Sequence, residues 1–397
     1  MSSSIRAVAL LAASLLAAPS LAHGDEVKVG VLHSLSGTMS ISEITVKNAT
    51  LLAIDQINAA GGVLGKTIVP VIEDGASEPA TFAQKAQKLV QQSQVVTVFG
   101  GWTSASRKAM LPVFERLGSL LWYPVQFEGN ECSPTIMYSG AQPNQQALPA
   151  FEWAVKKGYK KIFLLGSDYV FPRTANLILR KHITATPGTT LVGEEYIPLG
   201  GTSFGGILNK IKAGNPDVII NTLNGDSNVA FFKQFNAAGM TAAKLPIISF
   251  SIAEQETVAI GAKLVAGHYA VWNYFQSLPT EANKKFIAAY RAKYGADAVM
   301  SDPMVHGYLD VYAWKAAVEK AKSFDPKAVR KAAPGIELDS AMGKTKFDSN
   351  GSLYQKVFVG QAQPDAQFAV VWSTDDAVKP EPYDPLSFPG KTCSGPK

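Results

Sequence analysis

Side chains that can hydrogen-bond a small neutral molecule recur in this 397-residue chain, each group lying just after a run that reads as a β-strand. The groups are Ser36-Gly37-Thr38-Met39-Ser40, Gly101-Trp102-Thr103-Ser104, Tyr123-Pro124-Val125-Gln126, Ser167-Asp168-Tyr169-Val170-Phe171, Asn224-Gly225-Asp226 and Ser251-Ile252-Ala253-Glu254. They are rich in hydroxyls and aromatic rings and carry few charges. Each residue also has a structural role open to it. Ser104 and Asp226 are natural N-caps for the helices that follow, and Tyr123 and Tyr169 can be packing residues. What favours binding is the recurrence of such groups at every strand exit. Catalytic patterns are missing: there is no G-x-S-x-G elbow, and His23, His33, His182, His268 and His306 form no H-E-x-x-H pair. A secreted amidase-type hydrolase is the rival class, and release of ammonia would distinguish it. We expect no enzyme activity, no metal and no cofactor.

The elements that must position these loops alternate strand and helix. Val27–Leu32 reads as a strand, and Ser40 with Glu43 forms a capping box for a helix that carries Val46, Ala49, Ala53, Ile54 and Ile57 on one face and stops at Gly61-Gly62. Ile68–Ile72 and Val95–Phe99 read as further strands, and Thr103–Ser106 opens a helix running to Leu117. A second series follows Pro143, with strands at Lys161–Leu165, Leu191–Tyr196, Asp217–Asn221 and Ile247–Phe250. Helices near Glu281–Tyr294 and Met304–Lys322 are surplus to the second series and are assigned back to the first. The order predicts an α/β protein of two doubly wound parallel-sheet lobes joined by a multi-strand hinge. The expected division is 23–143 with 272–345 for the N-terminal lobe and 144–271 with 346–397 for the C-terminal lobe. In such sheets ligands bind beyond the carboxyl ends of the strands, near helix N-termini.

Composition agrees with a folded, exported protein. Hydrophobic residues make up 47% and charged residues 17%, enough apolar surface to offset ordering entropy. The net charge of +5 is scattered, with basic residues at most in pairs such as Lys156-Lys157, so nucleic-acid binding is not expected. Arg6, the apolar run Ala7–Ala18 and Pro19-Ser20-Leu21-Ala22 read as a secretory signal peptide over 1–22, too short to span a membrane. No cysteine follows the run to take a lipid, so we expect a soluble periplasmic chain with no membrane insertion after cleavage. Cys132 and Cys393 are the only cysteines, and a disulfide between them is possible in an oxidising compartment.

Longer motifs carry a resemblance. Gly30-Val31-Leu32-His33-Ser34-Leu35-Ser36-Gly37-Thr38-Met39, Trp102-Thr103-Ser104-Ala105-Ser106-Arg107-Lys108, Tyr123-Pro124-Val125-Gln126-Phe127-Glu128-Gly129 and Gly166-Ser167-Asp168-Tyr169 resemble the urea-binding proteins of ABC transporters. Pro143–Gln146, Asn224–Asn228 and Trp272–Phe275 extend the match over nearly the whole mature chain. Wider relatives are the branched-chain amino-acid binding proteins and the amide-sensing amidase regulator. The resemblance implies a type I periplasmic binding fold, lobes that close on ligand, and delivery to a membrane permease whose ATPase is a separate partner. It implies ligand contacts from Ser104 and Tyr123 in the first lobe and from Tyr169 and Asp226 in the second, with Trp102, Gln126, Phe171 and Glu254 as further candidates. Where the amide-sensing relative has threonine two residues after the Tyr-Pro tyrosine, this chain has Val125.

Urea presents four N–H donors and one carbonyl oxygen on an uncharged plane, so its site needs more acceptors than donors. A carboxylate such as Asp226 or Glu254 can accept from its amides, while a serine or tyrosine hydroxyl donates to its oxygen. An amino acid needs a clamp for its carboxylate, and beyond Arg107 and Arg173 these loops hold no arginine. Short-chain amides and branched-chain amino acids remain the alternatives, since backbone N–H groups can also bind a carboxylate.

Overall fold

Apolar residues on both faces of the strands set the architecture. In the run Ile162-Phe163-Leu164-Leu165, Ile162 and Leu164 enter one core while Phe163 and Leu165 enter another. Alternation of this kind fills both faces of a sheet and demands helices on each. The computed structural model describes residues 25–393; the expected signal peptide over 1–22 lies outside the described residues.

The first lobe opens with β1 (Glu26–His33), α1 (Ser40–Ala59), β2 (Thr67–Asp74), α2 (Pro79–Gln91), β3 (Val98–Gly100), α3 (Ser104–Leu117), β4 (Leu121–Tyr123) and β5 (Ile136–Tyr138). Its five strands lie in the order β2-β1-β3-β4-β5, all parallel. The second lobe continues with α4 (Ala147–Lys156), β6 (Lys161–Ser167), α5 (Val170–Ala185), β7 (Thr190–Ile197), α6 (Gly205–Gly214), β8 (Val218–Thr222), α7 (Asp226–Ala237), β9 (Ile247–Ser249), α8 (Glu254–Ile260), α9 (Ala262–Val265) and β10 (Tyr269–Trp272). The chain then returns to the first lobe for α10 (Glu281–Tyr294), α11 (Asp302–Ala321), α12 (Pro326–Ala332) and a small antiparallel sheet of β11 (Glu337–Ser340), β12 (Gly343–Phe347) and β13 (Leu353–Tyr354). β14 (Phe358–Ala362) and β15 (Phe368–Ser373) finally add two antiparallel strands to the second sheet, whose order is β15-β14-β10-β9-β8-β6-β7.

Three expectations need amendment. Phe347 and Leu353 are buried in the first lobe's core, so the boundary at 345/346 falls within β12, and the chain crosses over only after Tyr354. The second sheet is mixed rather than purely parallel, because β14 and β15 pair antiparallel at its edge. The capping box at Ser40 does not form: Ser40 donates to the Gly37 carbonyl (2.8 Å), while Glu43 turns inward and accepts from the Ser34 N–H (2.8 Å). Glu43 is drawn to the end of β1 by a backbone donor and by His33, whose Nδ1 lies 3.2 Å away.

One buried polar network ties the three crossovers together. Asp302 on α11 accepts from the Asn273 N–H (2.9 Å) and pairs with His306 Nδ1 (3.0 Å), and His306 Nε2 donates to Gln355 Oε1 (2.8 Å). Asn273 Nδ2 donates to the Lys356 carbonyl (2.7 Å), and Gln145 Nε2 to the Leu353 carbonyl (2.8 Å). Residues of all three linkers thus share one buried anchor. Burial alone would discharge His306, but Asp302 and Gln355 outweigh it and raise its pKa to about 9.

Cys132 and Cys393 form a disulfide with their Cα atoms 5.8 Å apart, closing a sequence separation of 261 residues. The C-terminal segment it secures also accepts the Asn130 N–H at Pro382 (2.7 Å) and pairs Asp384 with His182 (3.0 Å).

Two outcomes are expected. Cys132→Ser with Cys393→Ser will lower unfolding free energy by about 2–4 kcal/mol in urea-free guanidinium titrations; an unchanged midpoint would contradict this. The His306 contribution is complete below pH 6.5 and is lost as pH rises through about 9, because the folded state holds that proton more tightly. The gap in Tm between wild type and His306→Gln will therefore narrow from pH 6 to pH 10, and a pH-independent gap would refute the assignment.

Candidate functional site

The exits of β1, β3 and β4 face those of β6, β8 and β9, and the two rims touch. Trp102 Nε1 donates to Asn224 Oδ1 (3.2 Å), the Asp226 N–H to Thr38 Oγ1 (3.1 Å) and Ser42 Oγ to Glu256 Oε1 (2.6 Å). Gln126 Nε2 donates to both the Phe250 carbonyl and Ser251 Oγ, each at 2.9 Å. The lobes therefore stand closed. Gly225 permits this approach: its φ is +63°, and a Cβ there would lie 2.7 Å from the Thr38 carbonyl oxygen and 3.0 Å from Met39 Sδ.

Beneath the first rim lies a buried charge cluster. Thr103 caps α3 by accepting the Ser106 N–H (3.1 Å), which frees Ser104 from the capping role open to it. One turn along, Arg107 comes back beside Ser104 and donates Nη1 to its Oγ (2.8 Å). The same guanidinium meets Glu131 through Nε (2.8 Å) and Glu128 through Nη2 (2.9 Å), and stacks 5.0 Å from the Tyr123 ring centroid and 4.7 Å from that of Phe127. Arg107 is wholly buried. Burial works against its charge, yet Glu128 and Glu131 hold its pKa well above the ordinary value. Burial likewise works against ionisation of Glu131, but Arg107 and Lys108 pull its pKa down to about 2. Burial drives the Tyr123 phenol upward, so it stays protonated.

The structure brings most of the expected residues to this junction, in altered roles. Ser104 accepts from Arg107, which leaves its proton to donate. Tyr123 gives its proton to the Trp102 carbonyl and supports the floor. Trp102 and Gln126 bridge the lobes, and the buried Gln126 Oε1 has no partner. Tyr169, half-buried at the start of α5, comes from the second lobe; its hydroxyl is held well above the phenol range first by burial and then by Tyr123 and Glu128. Phe171 instead packs in the second lobe's core beside α4 and β6.

Neither acidic candidate matches its expected part in this closed arrangement. Asp226 is exposed and engages the first lobe through its backbone N–H. Glu254 is buried beside the hinge, accepts the Gln276 N–H (2.7 Å), and burial pushes its pKa up to about 8, so at neutral pH it is an uncharged acid. The sequence reading named Asn224 only within its strand-exit group and gave no site role to Glu128, Glu131 or Glu43. Glu128 stands inside the Tyr123–Gly129 motif, and Arg107 lies three residues after Ser104, the spacing of side chains on one helix face; that pairing was the available signal.

Comparison with known proteins agrees with this architecture. The chain is 25% identical over 391 residues to a Leu/Ile/Val-binding protein homolog of Brucella melitensis, covering 94% of this chain and 97% of that one. Among solved structures, the solute-binding protein of an R. palustris ABC transporter in complex with 4-hydroxybenzoate superposes with a TM-score of 0.80 at 24% identity, covering 89% and 98% of the two chains. The branched-chain amino acid transporter substrate-binding protein of Streptococcus pneumoniae in complex with isoleucine gives 0.78 at 23% identity, covering 90% and 100%. The profile of the periplasmic binding protein domain matches residues 27–388, so the chain belongs to the periplasmic binding protein family.

Proposed function

We propose that this chain is the periplasmic receptor of an ABC transporter and that its cleft captures urea, or a short-chain amide, and passes it unaltered to the membrane permease. The observation that carries the reading is the state of the arginines. Arg107, a cation buried beneath the site, is already committed to Glu128, Glu131 and Ser104. Arg173 lies at the surface with Asp168 (2.8 Å). Neither is free to clamp a ligand carboxylate, and the carboxylates around Arg107 oppose a second negative charge. A neutral ligand meets no such opposition, and Ser104 retains a proton for its carbonyl oxygen. The apolar segment over 1–22 supports export, and among the described residues no helix is long and apolar enough to cross a membrane.

The names of the relatives favour a second reading, a branched-chain amino acid in the cleft, with backbone N–H groups holding its carboxylate. Calorimetry separates the two. Urea has four heavy atoms, and at about 1.5 kcal/mol per atom its affinity is bounded near roughly 6 kcal/mol, or about 40 µM. We expect saturable heat with urea in the tens of micromolar or weaker and none with leucine; the reverse would establish the second reading. No ammonia should accumulate on long incubation with urea, and its accumulation would mark a hydrolase. Gly225→Ala should weaken urea binding by roughly tenfold or more, since the added methyl holds the rims apart; unchanged affinity would show that closure is not required.

A further inference from the structure

Two carboxylates at the junction each keep one oxygen buried and unpaired. Glu128 is 1% exposed; its Oε1 faces Arg107, and its Oε2 has no partner. Glu43 is 0% exposed; its Oε2 accepts from Ser34, and its Oε1 has no partner. Leaving a carboxylate oxygen dry and unbonded is costly, and a donor from a ligand would satisfy it. Both stand near residues that bond across the cleft. Glu43 adjoins Ser42, which bonds Glu256 across the cleft, and Glu128 lies two residues beyond Gln126, which bonds Phe250 and Ser251 across it.

We propose that Glu128 and Glu43 are the acceptors that select a ligand with two amino groups on one carbonyl, each carboxylate taking N–H bonds from one of them. The inference rests on the neutral-ligand reading above and extends it to the basis of selectivity. Ser104 and Glu128 are both held by Arg107, so together they form one amide-sized unit: a hydroxyl donor for the carbonyl oxygen beside a carboxylate acceptor for the adjoining amino group. Glu43 comes from a different element, α1, and meets the second amino group. Urea has that second group and acetamide does not. The preference for urea over acetamide thus resides in Glu43, while Glu128 serves both ligands.

Isosteric amides test this. In Glu43→Gln the Ser34 N–H keeps the amide oxygen in the Oε2 position, so an NH2 donor replaces the free acceptor; in Glu128→Gln the guanidinium imposes the same orientation. Titration of the purified mature chain with urea and with acetamide should show Glu43→Gln weakening urea by roughly tenfold or more with acetamide within about twofold of wild type. Glu128→Gln should weaken both. Glu43 bonds Ser34 and His33, outside the Arg107 hydrogen bonds, so its variant decides the matter even where Glu128→Gln fails to fold. Urea affinity unchanged in Glu43→Gln, or urea and acetamide weakened by equal factors, would overturn the inference while leaving the neutral-ligand reading in place. Wild-type protein that binds no urea at millimolar concentration would overturn that reading, and this inference with it.

Discussion

The guanidinium of Arg107 is neutralised from within the protein, and the character of the cleft follows from that. A lone buried cation would be intolerable, and one paired with a single carboxylate would still draw anions to the site. Here two glutamates and a serine share its donors, and aromatic rings of Tyr123 and Phe127 cover its face. Lys108 adds a partly exposed cation 2.9 Å from Glu131. The cluster forms a buried floor that carries a serine hydroxyl and an unpaired carboxylate oxygen, and the proposed amide ligand rests on those two groups. The C-terminal segment supports it from outside, since Cys393 is bonded next to Glu131 and Pro382 holds Asn130.

Closure supplies the remainder. A ligand of very few atoms gains little from any one contact, so every polar atom must be paired and water excluded. The rims achieve contact through Trp102, Gln126, Thr38 and Ser42, all bonded to the opposite lobe, with Gly225 removing the side chain that would obstruct them. The three crossovers are joined to one another because Asn273, Gln145 and Gln355 share the Asp302–His306 anchor.

Much of the fold was legible because periodicity reports burial directly. The helix face of α1 and the apolar strands of the second lobe were visible as repeats of apolar residues, and two helices in excess of one lobe's needs pointed to the crossover back. The small β11–β13 sheet was not visible because its strands are short and largely polar, and the apolar runs of β14 and β15 do not by themselves reveal which strand they pair with or in which direction. At the site, strand exits located the right loops but not the roles. Thr103, not Ser104, caps α3; Glu43 serves β1 rather than Ser40; and Asp226 contributes a backbone N–H. Such choices are decided by which partner tertiary packing brings within 3 Å, and a single sequence does not contain that distance.

A crystal of the complex grown from equimolar urea and leucine examines the central claim most directly. The account predicts urea between the lobes, its oxygen on Ser104 and its amino groups toward carboxylates, with Arg107 still bound to Glu128 and Glu131. Leucine in the cleft, with Arg107 released from those glutamates to hold the ligand's carboxylate, would contradict it.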